Sequence, residues 1–241
     1  MKTSIIIPTR NRWEKLQKTL KAIKKNTSVP HEVIIIFDGD ENGFKKMKGR
    51  TEYKIAYNIE PKEYWRCINQ GCFLAQGDYI VYLADDIRPR KDWLKHAIEI
   101  FEKNFKDGIG LVALKTDLGE GITHAPHGLV SKTFVASRGY LAPDVYRHYF
   151  ADTEISLRMQ SINRYKCTDR VVLNHDKPQK DKKFADSVYS ESWKNCWKND
   201  ELQFHLRNPL LVAAMILVMP NDLMKVFQTQ LWAHNCGLVK K

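Results

Sequence analysis

The chain has 241 residues, of which 43% are hydrophobic and 28% are charged. This composition is ordinary for a globular protein, and it excludes collagen-like, mucin-like and wholly disordered chains. Lysine and arginine together number 39 and aspartate and glutamate 28, which leaves a formal net charge of +11. Such an excess favours an anionic partner, whether nucleic acid, a nucleotide phosphate or an acidic membrane surface.

The cysteines and the apolar segments bear on the cellular compartment. Five cysteines are spread along the chain without a C-x-x-C pair, which argues against the disulfide framework of a secreted protein. The N-terminal apolar run, residues 5–7, is too short for a signal peptide. The longest apolar stretch, residues 210–219, has ten residues, whereas a membrane-spanning helix needs about 20. We therefore expect a soluble, cytoplasmic protein.

Strands and helices alternate over the first part of the chain. Strands are predicted at residues 4–7, 33–37, 54–57 and 79–83, and helices at residues 13–26, 65–75 and 92–105. Residues 38–43 are rich in Asp, Gly and Asn and are predicted as a turn. This alternation predicts a parallel sheet covered by helices on both faces.

The pattern loosens beyond residue 110. Strands are predicted at residues 109–114, 129–137 and 170–174, a loop at residues 119–128 and a helix at residues 152–160. A charged linker follows at residues 177–186, and residues 188–241 are predicted as two or three helices. We therefore expect a domain formed by residues 1–180 and a helical C-terminal extension formed by residues 187–241.

Three polar clusters fall at the ends of predicted strands. They are residues 9–11, 38–40 and 85–86, after the first, second and fourth strands. Ligands of open α/β sheets bind beyond the carboxyl ends of the strands. We therefore expect the three clusters to meet in one crevice.

The adjacent acidic residues Asp85 and Asp86 are the most specific chemical signal in the sequence. Two adjacent carboxylates repel each other and are stabilised by a cation or by solvent. Hard oxygen ligands of this kind suit Mg²⁺ or Mn²⁺, which can bridge a diphosphate. The alternative is a solvated turn in which Asp86 caps the next helix. The preceding apolar strand and the nearby Arg88 and Arg90 favour a binding site.

Two further carboxylates each allow a structural and a functional interpretation. Asp38 can form an Asx turn, or it can accept hydrogen bonds from a nucleobase or a ribose. Asp152 can be the N-cap of a helix, or it can be a general base for a substrate hydroxyl. Glu154 and Arg158 have the i,i+4 spacing of an ion pair on one helix face.

In this order, the motifs resemble those of the family 2 glycosyltransferases of the GT-A fold. The resemblance covers residues 4–175 and rests on SIIIPTRNR (residues 4–12), FDGD (37–40), NQGCFLAQGDYIVYLADDI (69–87), YFADTEISLRM (149–159) and His175. It implies a Rossmann-like, mostly parallel sheet flanked by helices. It also implies inverting transfer of a sugar from a nucleotide diphosphate sugar, by default a UDP-sugar, to a hydroxyl of a glycan or lipid-linked acceptor.

The resemblance also implies roles for individual residues. Residues 1–90 would form the nucleotide-sugar-binding half and residues 91–180 the acceptor half. The residues expected to bind the nucleotide sugar are Pro8, Thr9, Arg10, Asn11, Asp38, Arg66, Asn69 and Asp85. Asp86 would hold Mn²⁺ or Mg²⁺, and His175 matches a position that supplies a further metal or diphosphate ligand in some members. Asp152 matches the catalytic base, and the 119–128 loop and the 131–140 segment would border the acceptor pocket.

Two positions depart from the family pattern. Ala84 replaces the first acidic residue of the D-x-D element, which leaves fewer ligands for a metal. Ala151 stands where the family usually has a glutamate before the base.

Two alternatives remain open at this point. A nucleotidyltransferase or another nucleotide-sugar enzyme has a similar sheet, but it commonly carries an early glycine-rich phosphate loop, and residues 9–12 contain no glycine. A non-catalytic basic module that binds membranes or nucleic acid would explain the charge. It would leave the convergence of Asp38, Asp86 and Asp152 unexplained, so we do not expect nucleic acid as the partner.

Residues 176–241 lie outside the resemblance. Trp193 and Trp197 are spaced i,i+4, as are Leu223 and Phe227, and residues 210–219 are apolar on every side. An entirely apolar helix must be buried, either against protein or in a membrane interface with nearby lysines facing anionic lipid. The second possibility predicts a peripheral contact with the inner face of a membrane.

Overall fold

The computed structural model describes residues 1–177 and 180–209. Its strands are β1 (Thr3–Thr9), β2 (His31–Asp38), β3 (Lys54–Asn58), β4 (Tyr79–Tyr82), β5 (Ile87–Pro89), β6 (Leu111–Ala113), β7 (Gly128–Ser131), β8 (Tyr165–Cys167) and β9 (Leu173–His175). Its α-helices are α1 (Trp13–Asn26), α2 (Glu41–Met47), α3 (Tyr64–Leu74), α4 (Trp93–Asn104), α5 (Lys132–Arg138), α6 (Ala151–Ser161) and α7 (Ser187–Arg207). A short 3₁₀ helix spans Lys182–Phe184.

The main sheet is mostly parallel, as predicted. Within the described residues its seven strands have the order β3-β2-β1-β4-β7-β6-β8. Strands β3, β2, β1 and β4 are parallel to one another, whereas β7 runs antiparallel to both β4 and β6. Strands β5 and β9 form a separate antiparallel pair beside the carboxyl end of β4. The carboxyl ends of β1, β2 and β4 therefore share one edge of the sheet.

The central strands are buried because helices cover both faces of the sheet. All seven residues of β1 are buried, and its side chains alternate between two hydrophobic clusters, with Ile6 in one and Ile5 and Ile7 in the other. Helix α3 lies directly on β1 at Gly71. A Cβ atom at Gly71 would lie 2.3 Å from a methyl carbon of Ile6, so this close approach requires glycine.

The prediction of a strand over residues 129–137 is wrong after Ser131. The Ser131 hydroxyl accepts a hydrogen bond from the backbone N–H of Phe134 at 2.9 Å, which caps α5. Gly139 ends α5 in the left-handed conformation, with φ 77°. The predicted turn at residues 38–43 likewise runs into α2, whose N-cap Asp40 accepts from Gly43 N at 2.8 Å.

The predicted linker, residues 177–186, is tied to the domain. Asp186 accepts from Arg12 Nη2 at 2.8 Å and from Lys15 Nζ at 2.5 Å, and it caps α7 through Tyr189 N. Trp197 and Phe204 of α7 belong to the same hydrophobic cluster as residues of α3 and α6. The first part of the expected extension therefore packs against the domain.

The rest of the expected extension is outside the described part of the chain. This applies to residues 210–241, which include the apolar run and the Leu223–Phe227 pair, and to the side chain of Trp193. Over residues 1–177 and 180–209, no helix is both long and apolar enough to span a bilayer.

Two buried carboxylates attach α7 to the domain. Asp200 is fully buried and accepts hydrogen bonds from the backbone N–H groups of Arg147, His148 and Tyr149, the last two at 2.8 Å. Glu154 of α6 is also buried. Its donors are the hydroxyl of Tyr146 at 2.5 Å and the side chains of Arg158, Arg207 and Asn208. The i,i+4 pair predicted from the sequence is thus part of a larger network.

We predict that Asp200→Ala destabilises the protein, because three backbone N–H groups then lose their acceptor inside the fold. An unsatisfied buried donor costs about 1–3 kcal/mol, and this variant should lower the free energy of unfolding in urea by at least that much. Asp169→Ala, which removes an exposed carboxylate, is the control and should unfold like the wild type. Equal urea midpoints for all three proteins would contradict the assigned role of Asp200.

Candidate active site

A crevice of about 550 Å³ opens at the carboxyl edge of the parallel strands. Its walls come from the ends of β1, β2 and β4, from the loop between β6 and β7, from the start of α6 and from α7. The predicted site residues that line it are Pro8, Thr9, Arg10, Asp38, Asp85, Asp86, Asp152 and His175. The convergence of the three strand-end clusters is therefore observed.

Asp85 and Asp86 lie at the centre of this edge and are 3% and 8% exposed. The hydroxyl of Thr9 donates to Asp85 Oδ2 at 2.8 Å, and Arg12 Nη1 lies 3.2 Å from Asp85 Oδ1 and 3.7 Å from Asp86 Oδ2. Asp86 does not cap a helix, because strand β5 begins at the next residue.

The pKa values of the two neighbouring carboxyl groups are shifted in opposite directions. Burial raises the pKa of Asp85 against the lowering effect of Arg12, and the charge of Asp86 adds to the rise. Burial also opposes ionisation of Asp86, but His175 and Arg12 together lower the pKa of Asp86 below its ordinary value. Such a split is expected when two acids share a site, because the first charge disfavours the second. Asp86 is therefore the more strongly ionised of the two.

His175 lies between two carboxylates. Its Nε2 is 3.3 Å from Asp86 Oδ1, and its Nδ1 is 2.6 Å from Glu120 Oε2. The other oxygen of Glu120 is 2.6 Å from Lys177 Nζ. Burial and Lys177 act to lower the pKa of His175, but Asp86 and Glu120 outweigh them and raise it.

The donor set around Asp86 fits a divalent cation. Asp86 Oδ1 is buried and has no hydrogen-bond partner of good geometry within the described residues, although His175 is close. A buried carboxylate oxygen without a donor is costly unless a cation or water satisfies it. Carboxylate and imidazole ligands together suit a metal that also binds phosphate oxygens.

Asp152 lies in the first turn of α6 and lines the crevice. It is not the N-cap, because that position belongs to Phe150, which has a left-handed φ of 63°. Asp152 Oδ1 accepts from Thr153 N at 3.0 Å, and Oδ2 lies 3.9 Å from His124 Nε2. With its side chain 15% exposed, the carboxylate can meet a molecule in the crevice.

Asp38 shapes the loop that leads into α3. Its carboxylate accepts hydrogen bonds from Asn58 Nδ2 at 3.1 Å, Lys62 N at 2.8 Å and Glu63 N at 3.0 Å. Asp38 also lines the crevice, so its structural contacts do not separate it from the candidate site.

The structure does not bring Asn11, Arg66 and Asn69 to the crevice lining. Arg66 donates to the carbonyl oxygen of Asp144 at 2.9 and 3.0 Å. Asn69 is buried and clamps the same loop, since its amide binds the backbone of Leu141 and Ala142. The backbone N–H of Asn11 donates to Asp40 Oδ2 at 3.0 Å. All three make structural contacts with residues distant in the sequence, which local patterns do not reveal.

Several lining residues were missed by sequence reasoning. Arg12 could have been predicted from the sequence, because this residue directly follows the first strand-end cluster, residues 9–11. The 119–128 loop, which was expected to border the acceptor pocket, lines the crevice with Glu120, His124 and His127, although no spacing pattern marks these three side chains. The 131–140 segment, expected to border the same pocket, contributes no residue to the crevice lining. Helix α7 contributes Tyr189, Ser192 and Trp197 from far along the chain. Burial lowers the pKa of His127 to about 3, so this imidazole is neutral at pH 7.

Comparisons with curated proteins agree with the motifs. The glucosyl-dolichyl phosphate glucuronosyltransferase of Haloferax volcanii is 26% identical over 110 residues, which are 43% of this chain and 35% of that protein. The glycosyltransferase AglE of the same organism is 26% identical over 114 residues, 44% of this chain and 38% of that protein. The matched region thus spans little more than a third of each relative.

Solved structures share the fold at low sequence identity. S. aureus TarS, residues 1–349, in complex with UDP-GlcNAc has a TM-score of 0.58 and 16% identity, with 73% of this chain and 59% of that chain covered. The mannosyltransferase PcManGT from Pyrobaculum calidifontis, in complex with GDP-Man and Mn²⁺, has a TM-score of 0.57 and 16% identity, with coverage of 72% and 56%. The expected GT-A architecture is confirmed.

The family model described as glycosyl transferase family 2 matches residues 4–163, well over half of the chain. This range includes the three strand-end clusters and Asp152, which are the features that carried the resemblance. The chain belongs to glycosyl transferase family 2.

Proposed function

We propose that this chain is an inverting glycosyltransferase that moves a sugar from a nucleotide diphosphate sugar to an acceptor hydroxyl. The proposal rests on one observation: Asp152 lines the same crevice as Asp85, Asp86 and Arg10. The same crevice thus offers a proton acceptor and groups that can bind a charged sugar donor. Family membership supports this reaction over nucleotidyl transfer.

The donor half of the proposal places the nucleotide along residues 1–90. Asp38 would recognise the base or the ribose, and Arg10 and Arg12 would face the diphosphate. A UDP-sugar is the default donor; TarS was solved with UDP-GlcNAc and PcManGT with GDP-Man. Mn²⁺ or Mg²⁺ held by Asp86 and His175 would neutralise the negative charge that develops on the leaving diphosphate.

The acceptor half of the proposal places Asp152 beside the attacking hydroxyl. A carboxylate within hydrogen-bond distance of that hydroxyl takes its proton as the oxygen attacks the anomeric carbon. A single base opposite the leaving group implies in-line displacement and hence inversion. Residues 91–180 and α7 would surround the acceptor. The name of the Haloferax glucuronosyltransferase refers to a glucosyl-dolichyl phosphate, which supports a lipid-linked acceptor as one class to test.

We predict that Asp152→Asn abolishes most transfer while leaving donor binding intact. Loss of a general base costs about 10²- to 10⁴-fold in rate, and the amide keeps the shape of the side chain. Release of nucleoside diphosphate should be measured with the donor that the wild type uses best, and donor affinity by calorimetry. Asp169→Asn is the matched surface control. Near-normal turnover by a folded Asp152→Asn protein would remove Asp152 from the mechanism.

We predict that Asp38→Ala weakens nucleotide binding by about 1–3 kcal/mol, because a buried hydrogen-bonding partner is then left unpaired. Calorimetric titration with UDP and GDP measures the effect. The control is Asp78→Ala, since Asp78 precedes β4 and lies at the opposite edge of the sheet. Unchanged affinity for both nucleotides would exclude Asp38 from the donor site.

We predict that transfer depends on a divalent cation. Excess EDTA should abolish product formation, and added Mn²⁺ or Mg²⁺ should restore it. Asp86→Asn, which retains side-chain volume but loses the charge, should need far more metal for half-maximal activity. Full activity in excess EDTA would show that positively charged side chains alone neutralise the diphosphate.

A further inference from the structure

His127 has a buried imidazole without a hydrogen-bond partner in the described part of the chain. The residue is 2% exposed, and within the described residues neither ring nitrogen has a hydrogen-bond partner. Buried polar groups are nearly always paired, because removal of such a group from water costs free energy that only a new partner returns. An imidazole held in this way is suited to bind a ligand through nitrogen.

Two further ligand groups lie beside His127. One ligand atom each from Glu120, His127 and His175 can be chosen so that all three lie within 4.8 Å of one another. The rings of His127 and His175 meet edge to face, with centroids 5.0 Å apart. Because Lys177 pairs with Glu120 Oε1, Glu120 Oε2 is the oxygen directed toward His175.

The three groups come from two separate segments. Glu120 and His127 belong to the loop between β6 and β7, and His175 ends β9, which pairs with β5 directly after Asp86. Asp86 Oδ1 lies 3.3 Å from His175 Nε2. The cluster therefore lies against the acidic edge of the crevice at Asp86.

We propose that Glu120, His127 and His175 bind a divalent transition-metal ion beside Asp86. This proposal deepens the proposed function, because the ion would lie at the diphosphate end of the crevice. A set of two imidazole nitrogens and one carboxylate discriminates between metals. Mg²⁺ favours oxygen ligands and retains its waters, whereas imidazole ligation strengthens from Mn²⁺ through Co²⁺ to Zn²⁺.

Direct metal binding tests this proposal without any sugar transfer. The full chain is titrated with Mn²⁺, with and without UDP, and bound Mn²⁺ is measured from the loss of the free-ion EPR signal. Pulsed EPR then detects coupling to coordinated imidazole nitrogens. We expect one bound Mn²⁺ with nitrogen coupling, displaced by Zn²⁺ or Co²⁺ and little affected by a comparable concentration of Mg²⁺.

Two variants and one control assign the ligands. His127→Leu and Glu120→Gln should each weaken Mn²⁺ binding by about tenfold or more, the scale of losses around metal sites, and His127→Leu should also reduce the nitrogen coupling. His96→Asn is the control, because His96 pairs with Asp169 on the surface. Leucine removes the unsatisfied nitrogens, so His127→Leu should melt at or above the metal-free wild-type temperature while losing the rise in melting temperature that Mn²⁺ produces.

The outcomes separate this proposal from the proposed function. Wild-type Mn²⁺ affinity and nitrogen coupling in folded His127→Leu would overturn it, as would a wild-type chain that binds no Mn²⁺ with or without UDP. If His127→Leu does not fold, Glu120→Gln decides in the same way. Metal binding that depends on His127 in a protein that turns over no sugar nucleotide would leave the metal site standing and reject the transferase. Sugar transfer by the wild type, together with unaltered Mn²⁺ binding by both variants, would support the transferase and reject the proposed metal site.

Discussion

The burial of two adjacent carboxylates at the end of β4 is the constraint on which the candidate site depends. Asp85 and Asp86 are almost fully removed from water, and unpaired charges in such a place would destabilise the fold by several kcal/mol. Arg12 forms ion pairs with both carboxylates and with Asp186, the N-cap of α7. One guanidinium thus links the start of α1, the acidic end of β4 and the start of α7. The same concentration of charge makes this edge a natural place for a cation and a diphosphate.

The other half of the crevice depends on a second pair of buried carboxylates. Asp200 holds the backbone of residues 147–149, and Glu154 binds Arg207 and Asn208 at the end of α7. Asp152 lies between these two anchors. Its position therefore depends on a helix that begins some thirty-five residues later in the chain. Helix α7 is a wall of the crevice as well as a support for it.

The sequence was sufficient for the parts of the fold that local patterns control. The apolar runs of β1 and β2 and the helical spacing in α1 gave these elements to within a few residues, and alternation gave the parallel sheet. The carboxylates at strand ends were predicted correctly, because the carboxyl ends of parallel strands lie at the same edge of a sheet. The boundary between β7 and α5 was missed, since the β-branched and aromatic residues within 129–137 are typical of a strand. The polar run of residues 131–133, in which Ser131 caps the helix, marks the break but was not used.

The contacts that complete the site could not be predicted in the same way. Glu120 and His127 lie in a loop with no periodicity, and only the pairing of β9 with β5 brings His175 to them. Asn69 and Arg66 follow from a motif, yet their side chains bind the 141–144 segment and stay away from the crevice. Motif position thus located the site, and tertiary packing decided which of the nearby residues face it.

We propose that one crevice binds a sugar nucleotide and activates an acceptor. The most direct measurement incubates the full chain and Mn²⁺ with a panel of UDP-, GDP- and other nucleoside diphosphate sugars, with candidate glycan and lipid-linked acceptors, and scores the released nucleoside diphosphate. If this is so, nucleoside diphosphate is released from one donor or a small group of donors only when an acceptor is present. The product then has an inverted anomeric configuration. A folded protein that binds none of the panel and releases no nucleoside diphosphate would contradict this proposal.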